Sequence, residues 1–251
     1  MTFTKNIVRA GILVIVFNGC FTEPNYPIFP QIEILNDEIT FGKSINTNQM
    51  DSIKVVIKFQ DGDGDLGLNT DDRTSNFDYA QQYYYTFPAK EKVTSFNNRR
   101  VITLKDKQSD PNLTLDGKPL PEFVTPFSCT NWEPISNTNP VEHRYTEFNP
   151  NHYNIFVDFF TLNSDGSFTK FEPKNFFIYP SCSTEGYNGA FPILSKDLSK
   201  KSPLDGKLVY TIRGFALFFL FQNKTLKLKI SIQDRALNKS NEVETKNFTL
   251  R

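Results

Sequence analysis

The sequence predicts an all-β protein: an immunoglobulin-like β-sandwich with a long irregular insertion. Three observations predict it. Apolar residues recur at every second position in several short segments, turn residues separate those segments, and apolar stripes of helical period are scarce. Composition agrees, since 25 Phe and 10 Tyr among many asparagines, prolines and threonines favour strands and turns over helices. A chain of 251 residues can bury a real core. Its 28 basic and 28 acidic residues balance, and no segment clusters Lys and Arg as a phosphate-tracking surface requires, which sets nucleic acid aside as a partner.

Residues 1–19, "MTFTKNIVRAGILVIVFNG", place Lys5 and Arg9 before an apolar run from Ala10 to Phe17 that is too short to span a bilayer. This reads as a secretory signal. Gly19 stands directly before Cys20, which resembles a bacterial lipobox, in which the cysteine is acylated and becomes the new N-terminus. Acyl chains such as palmitate on Cys20 would anchor the protein without spanning, each buried methylene adding ~0.8 kcal/mol. Residues 20–30 read as the lipidated cysteine and a proline-rich, aperiodic tether. With Cys20 acylated, Cys129 and Cys182 remain as an even pair in an exported compartment, where a disulfide is the expectation and two separate buried thiols the alternative.

Residues 31–251 read as one domain. "QIEILNDEITF" opens it, and "DSIKVVIKF" alternates Ile53, Val55, Ile57 and Phe59 against Lys54 and Lys58. "YNIFVDFFTLNSDGSFTKF" sets Ser164-Asp165-Gly166 between two apolar runs, a hairpin signal. "GKLVYTIRG", the strictly alternating "KTLKLKISIQ" and "NEVETKNFTL" complete a set of roughly seven strands. From about residue 70 to 150 the pattern lapses into "YYYTFP", a polar strand candidate "RRVITLKDK" and proline-rich "DPNLTLDGKPLPEF". With few apolar runs of its own, this segment is expected to be an insertion and not a second domain. A Cys129–Cys182 bridge would staple it to the sandwich. "GFALFFLFQ" at 214–222 is expected to be buried core.

The chemistry-bearing stretch is "QDGDGDLGLN", in which Asp61, Asp63 and Asp65 alternate with glycine. A second polar turn, "QDRALNKSNE", follows the strand ending near Gln233, and loops leaving the second and sixth strands of such a sandwich lie at one end. Asp61, Asp63 and Asp65 are therefore expected to face Asp234, Asn238 and Asn241. Hard oxygen donors in that number suit Ca²⁺ in a structural clamp; a solvated acidic turn is the alternative. The spacing resembles an EF-hand or dockerin loop continuing to Asn69 and Asp72, but Leu66 replaces the loop glycine and a strand, not a helix, precedes it.

His143 and His152 lack partners at metal-ligand spacing, and no nucleophile elbow, phosphate loop or His-Glu-x-x-His is present, so no enzymatic activity is expected. A glycosidase-like carboxylate pair, for which Glu147 and Asp158 are the residues to test, is a distant third reading.

"FQDGDGDLGLN", "HYNIFVDFF", "NGAFPIL", "PLDGKLVYTI" and "LKLKISIQDRALNKSNEVET", in that order, resemble an uncharacterised family of Bacteroidota outer-membrane lipoproteins. The resemblance implies a single immunoglobulin-like domain on the outer membrane, displayed on the cell surface, with no substrate attached. Only Glu23 supplies the acidity that surface-exported lipoproteins of that phylum carry after the cysteine. The expected function is an accessory or scaffold subunit beside an outer-membrane β-barrel or another surface lipoprotein. The alternative is a glycan-binding or adhesion module using "YYYTFP" and Trp132 as stacking platforms.

Overall fold

A computed structural model describes residues 24–43, 50–123, 131–172, 186–214 and 217–250. The period-two segments become the strands of two antiparallel sheets. The chain begins with β1 (Gln31–Ile34), β2 (Thr40–Gly42) and the long β3 (Asp51–Asp61). Helix α1 (Thr70–Ser75), β4 (Gln82–Tyr85), β5 (Lys92–Val93), helix α2 (Leu104–Ser109), β6 (Thr114–Leu115) and β7 (Lys118–Pro119) follow. Next come β8 (Trp132–Ile135), β9 (Glu142–Phe148), β10 (Ile155–Leu162) and β11 (Phe168–Lys170). The chain closes with β12 (Leu204–Gly214), helix α3 (Leu217–Phe221), β13 (Thr225–Ile232), β14 (Val243–Glu244) and β15 (Phe248–Thr249).

One sheet runs β1-β3-β12, with β2 also on β3; the other runs β11-β10-β13-β14, with β15 also on β13. In an immunoglobulin-type sandwich these are strands A-B-E and C′-C-F-G. Alternation explains the packing: Leu226, Leu228, Ile230 and Ile232 on β13 are fully buried, as are Ile53, Val55 and Ile57 on β3, and the two inner faces share one core with Ile155, Val157 and Phe159 of β10. Each such side chain contributes about 1.5–3 kcal/mol by leaving water. The predicted hairpin joins β10 to β11, with Gly166 at φ 83°.

The insertion falls between strands B and C, and it is more regular than its sequence predicts. It builds its own sheet, β5-β4-β9-β8, plus the β6–β7 hairpin, over a second core of Tyr85, Ile102, Leu113, Leu115, Leu120, Trp132 and Tyr145. Its strands are short and find partners far along the chain, Tyr84 opposite Thr146 for example, so no local periodicity announces them. In "RRVITLKDK", Val101 and Thr103 make only single bridges, to Thr86 and Arg144. There a capping box of Thr103 and Asp106 starts α2 where a strand is expected, because the side chains satisfy the first-turn N–H groups.

The aromatic platforms of the glycan reading are also corrected. Tyr83, Tyr84 and Tyr85 are buried and Trp132 is 1% exposed, its indole N–H donating to Pro121 O at 3.1 Å. "GFALFFLFQ" is core, as expected, with Leu217, Phe218, Leu220 and Phe221 buried, although Phe219 is 88% exposed. Cys20, Cys129 and Cys182 lie outside the described residues, and among those residues no helix is long and apolar enough to cross a membrane.

Candidate cation site

Strand β3 ends on Asp61, whose side chain is fully buried. The loop then turns so that Asp65 N donates to Asp61 Oδ2 at 3.1 Å. Two glycines make this path possible. Gly64 has φ +71° and Gly67 φ +107°, and an added Cβ would fall 2.2 Å from Ser202 O and 2.3 Å from Pro192 O. Meanwhile Leu66 and Leu68 point into the core, and the backbone zips onto residues 191–194 through Leu68 N to Phe191 O and Leu194 N to Leu66 O, each 3.0 Å. This is why a leucine stands where an EF-hand has glycine: the loop is anchored to a core, so it presents aspartates on one side and leucines on the other.

The second loop leaves β13. Asp234 is 2% exposed, and Asn238 holds it, donating from N to Oδ1 at 2.7 Å and from Nδ2 to Oδ2 at 2.8 Å. Asp61, Asp63, Asp65 and Asp234 each bring one carboxylate oxygen to within 4.8 Å of the others. Oδ1 of Asp61, of Asp63 and of Asp65 is buried with no hydrogen-bond partner, while Lys201 Nζ is 3.4 Å from Asp63 Oδ2. Burial, with repulsion from Asp63, Asp65 and Asp234, pushes the Asp61 carboxyl up to about 7. Burial, with Asp234 and Asp63, pushes Asp65 up to about 6, and burial raises Asp234 too.

Orphaned, converging carboxylate oxygens are costly unless a positive charge satisfies them. Oxygens bound to one Ca²⁺ at about 2.3–2.6 Å lie no more than about 5 Å apart, so the spacing here suits a shared cation. With only oxygen donors, the set suits a hard ion such as Ca²⁺ and not a thiolate- or imidazole-seeking one.

The two loops therefore meet as expected, but the ligand set contracts. Asn241 uses its carboxamide on β1, accepting from Ile32 N at 2.8 Å and donating to Ile32 O at 2.9 Å. Asn238 orients Asp234. Asn69 and Asp72 form the capping box of α1, with Asn69 N donating to Asp72 Oδ2 at 2.7 Å. Two residues that sequence reading overlooks adjoin the cluster: Arg235, paired with Asp72, and Tyr79, whose hydroxyl donates to Arg235 O. Arg235 is visible as a lone cation beside Asp234, but nothing local points to Asp72 as its partner.

Glu147, Asp158 and His152 each have partners elsewhere in the fold. Glu147 accepts from the hydroxyls of Tyr85 and Tyr145, at 2.7 and 2.8 Å, whereas Asp158 pairs with Lys170 at 2.8 Å on the other sheet system. His152 is buried between Tyr79 O, at 3.2 Å from its Nδ1, and the guanidinium of Arg73; burial and then Arg73 lower its pKa. Comparison of the chain with protein-family models, with curated proteins and with solved structures found no match.

Proposed function

We propose that the chain is a non-catalytic lipoprotein of the outer membrane, anchored through Cys20, in which a Ca²⁺-clamped sandwich carries the inserted β module as an accessory or scaffold subunit. Its partner is an outer-membrane β-barrel or another surface lipoprotein. The observation that carries this reading is the position of the carboxylate cluster: it closes the B–C and F–G loops on each other at the base of the insertion. A bound Ca²⁺, held by Asp61, Asp63, Asp65 and Asp234, would neutralise the buried charges and cross-link two loops. The resemblance to Bacteroidota lipoproteins supports the membrane assignment.

The tether supports the same arrangement. Gly62 N donates to Pro27 O at 2.8 Å, so the described part of the proposed tether lies against the metal loop. The scaffold reading is preferred to the glycan reading because Tyr83, Tyr84, Tyr85 and Trp132, four of the aromatics that the latter would use for stacking, are buried.

The test is affinity purification of the full chain from solubilised outer membranes, with chemical cross-linking, in Ca²⁺ and in EGTA. One outer-membrane protein should co-purify in stoichiometric amount and cross-link to residues 82–148. Repeated recovery of no such protein, or turnover of a polysaccharide by the purified chain, would overturn the scaffold reading.

A further inference from the structure

We propose that cation occupancy of the Asp61, Asp63, Asp65 and Asp234 cluster controls the docking of the inserted β module onto the sandwich, with Arg235 transmitting the state of the site. This rests on the cation reading above and adds a regulatory role to it. Arg235 directly follows Asp234 and grips three things. Its N–H donates to Asp65 O at 3.3 Å, its carbonyl accepts from the Tyr79 hydroxyl, and its guanidinium binds Asp72 in bidentate fashion, Nη1 to Oδ2 at 2.6 Å and Nη2 to Oδ1 at 3.1 Å. Asp72 lies on α1, the first element of the insertion, and Tyr79 closes the 3-10 turn that leads into β4.

The returning chain meets the same joint. His152, in the turn between β9 and β10, holds Tyr79 O and Arg73 of α1. Asn149 donates from N to Gln81 O at 3.0 Å and from Nδ2 to Asp78 O at 2.9 Å. Entry and exit strands of the module are thus fastened to each other, and Arg235 fastens them to the F–G loop.

A cation draws Asp234 toward the three aspartates of the other loop, across the gap that the Arg235 N to Asp65 O bond spans. Without it, four carboxylates within 4.8 Å of one another repel, and Asp234 cannot retreat without taking Arg235 from Asp65, Asp72 and Tyr79. Coupling of this kind is reciprocal, so a docked module also tightens cation binding.

Hydrogen exchange on the full chain in detergent, in Ca²⁺ and in EGTA, tests the latch. Chelation should speed exchange at residues 70–85 and 150–152 by on the order of 10-fold, with the interiors of β3 and β13 unchanged. Arg235→Ala should show the fast pattern even in Ca²⁺ while calorimetry still detects Ca²⁺ binding. Should that variant fail to fold, Tyr79→Phe, which removes one hydroxyl, should shift exchange at 70–85 in the same direction. Ca²⁺ binding with identical exchange at 70–85 in both conditions overturns the latch and leaves the site standing. Chelation that accelerates β3 and β13 equally overturns it as well, whereas no detectable binding defeats the cation reading itself.

Discussion

Asp61 and Asp234 face each other with almost no solvent exposure, and their charges set how the metal-free fold responds to pH. The Asp61 and Asp65 carboxyls, raised to about 7 and about 6, exceed the ~4 of an unfolded aspartate. Between roughly pH 4 and 7 the native state therefore binds more protons than the unfolded chain, so this cluster's contribution to stability is present at low pH and lost as pH rises through that window. Ca²⁺ needs the ionised forms, so its stabilisation grows over the same window. At pH 7.5 and ~100-fold excess over Kd, Ca²⁺ should add about 2.7 kcal/mol and raise Tm by roughly 5–10 °C, and at pH 5 the rise should nearly vanish. Asp63→Ala should remove most of the effect at pH 7.5. Thermal melts in Ca²⁺ and EGTA at both pH values check this; a Ca²⁺ effect independent of pH would contradict it.

Among the elements, those that bury one face locally were legible and those that pair at long range were not. Strands β3, β10 and β13 and the Ser164-Asp165-Gly166 turn follow from alternation and turn chemistry. Strands β4 and β9 do not, because Tyr83, Tyr84 and Tyr85 look amphipathic and become buried only once β9 and the second core cover them. Helix α2 carried its signal in Thr103 and Asp106, overshadowed by the apolar Val101 and Ile102 before it. That second core has its own energetics. Ile102 is fully buried in it, and Ile102→Ala should cost about 2–5 kcal/mol within the module. A melt followed by near-UV signals of Trp132, against far-UV strand signal, should then show the module unfolding before the sandwich. Coincident transitions at an unchanged Tm would show that Ile102 does not stabilise the module.

For the molecule as a unit, the proposed anchor predicts an orientation, given the paths of β3 and of residues 24–30. Strand β3 covers 11 residues, about 35 Å, from Asp51 beside Gly214 to Asp61 beside Leu204. The tether meets the Asp61 end, while Phe219 follows Gly214 at the opposite end. If Cys20 is acylated, the six residues to Tyr26 reach at most about 20 Å, so the cation pole faces the bilayer. A fluorescent amino acid encoded at Lys201, beside Asp63, should be quenched by headgroup-labelled lipids more strongly than one at Phe219. Equal quenching at the two positions would contradict this orientation.

By itself the sequence determined the sandwich, the order of its principal strands and the meeting of two acidic loops at one end, because period-two burial and strand order are local properties that carry topology with them. It could not decide which oxygens converge. Asn241 and Asn238 matched Asp234 in polarity and neighbourhood, yet one is taken by the edge of β1 and the other by Asp234 itself. Asp72 left the acidic run to cap α1 and hold Arg235. The Asn238 and α1-cap contacts are local, but the bonds of Asn241 to Ile32 and of Asp72 to Arg235 join segments more than a hundred residues apart, which only the packed fold brings together.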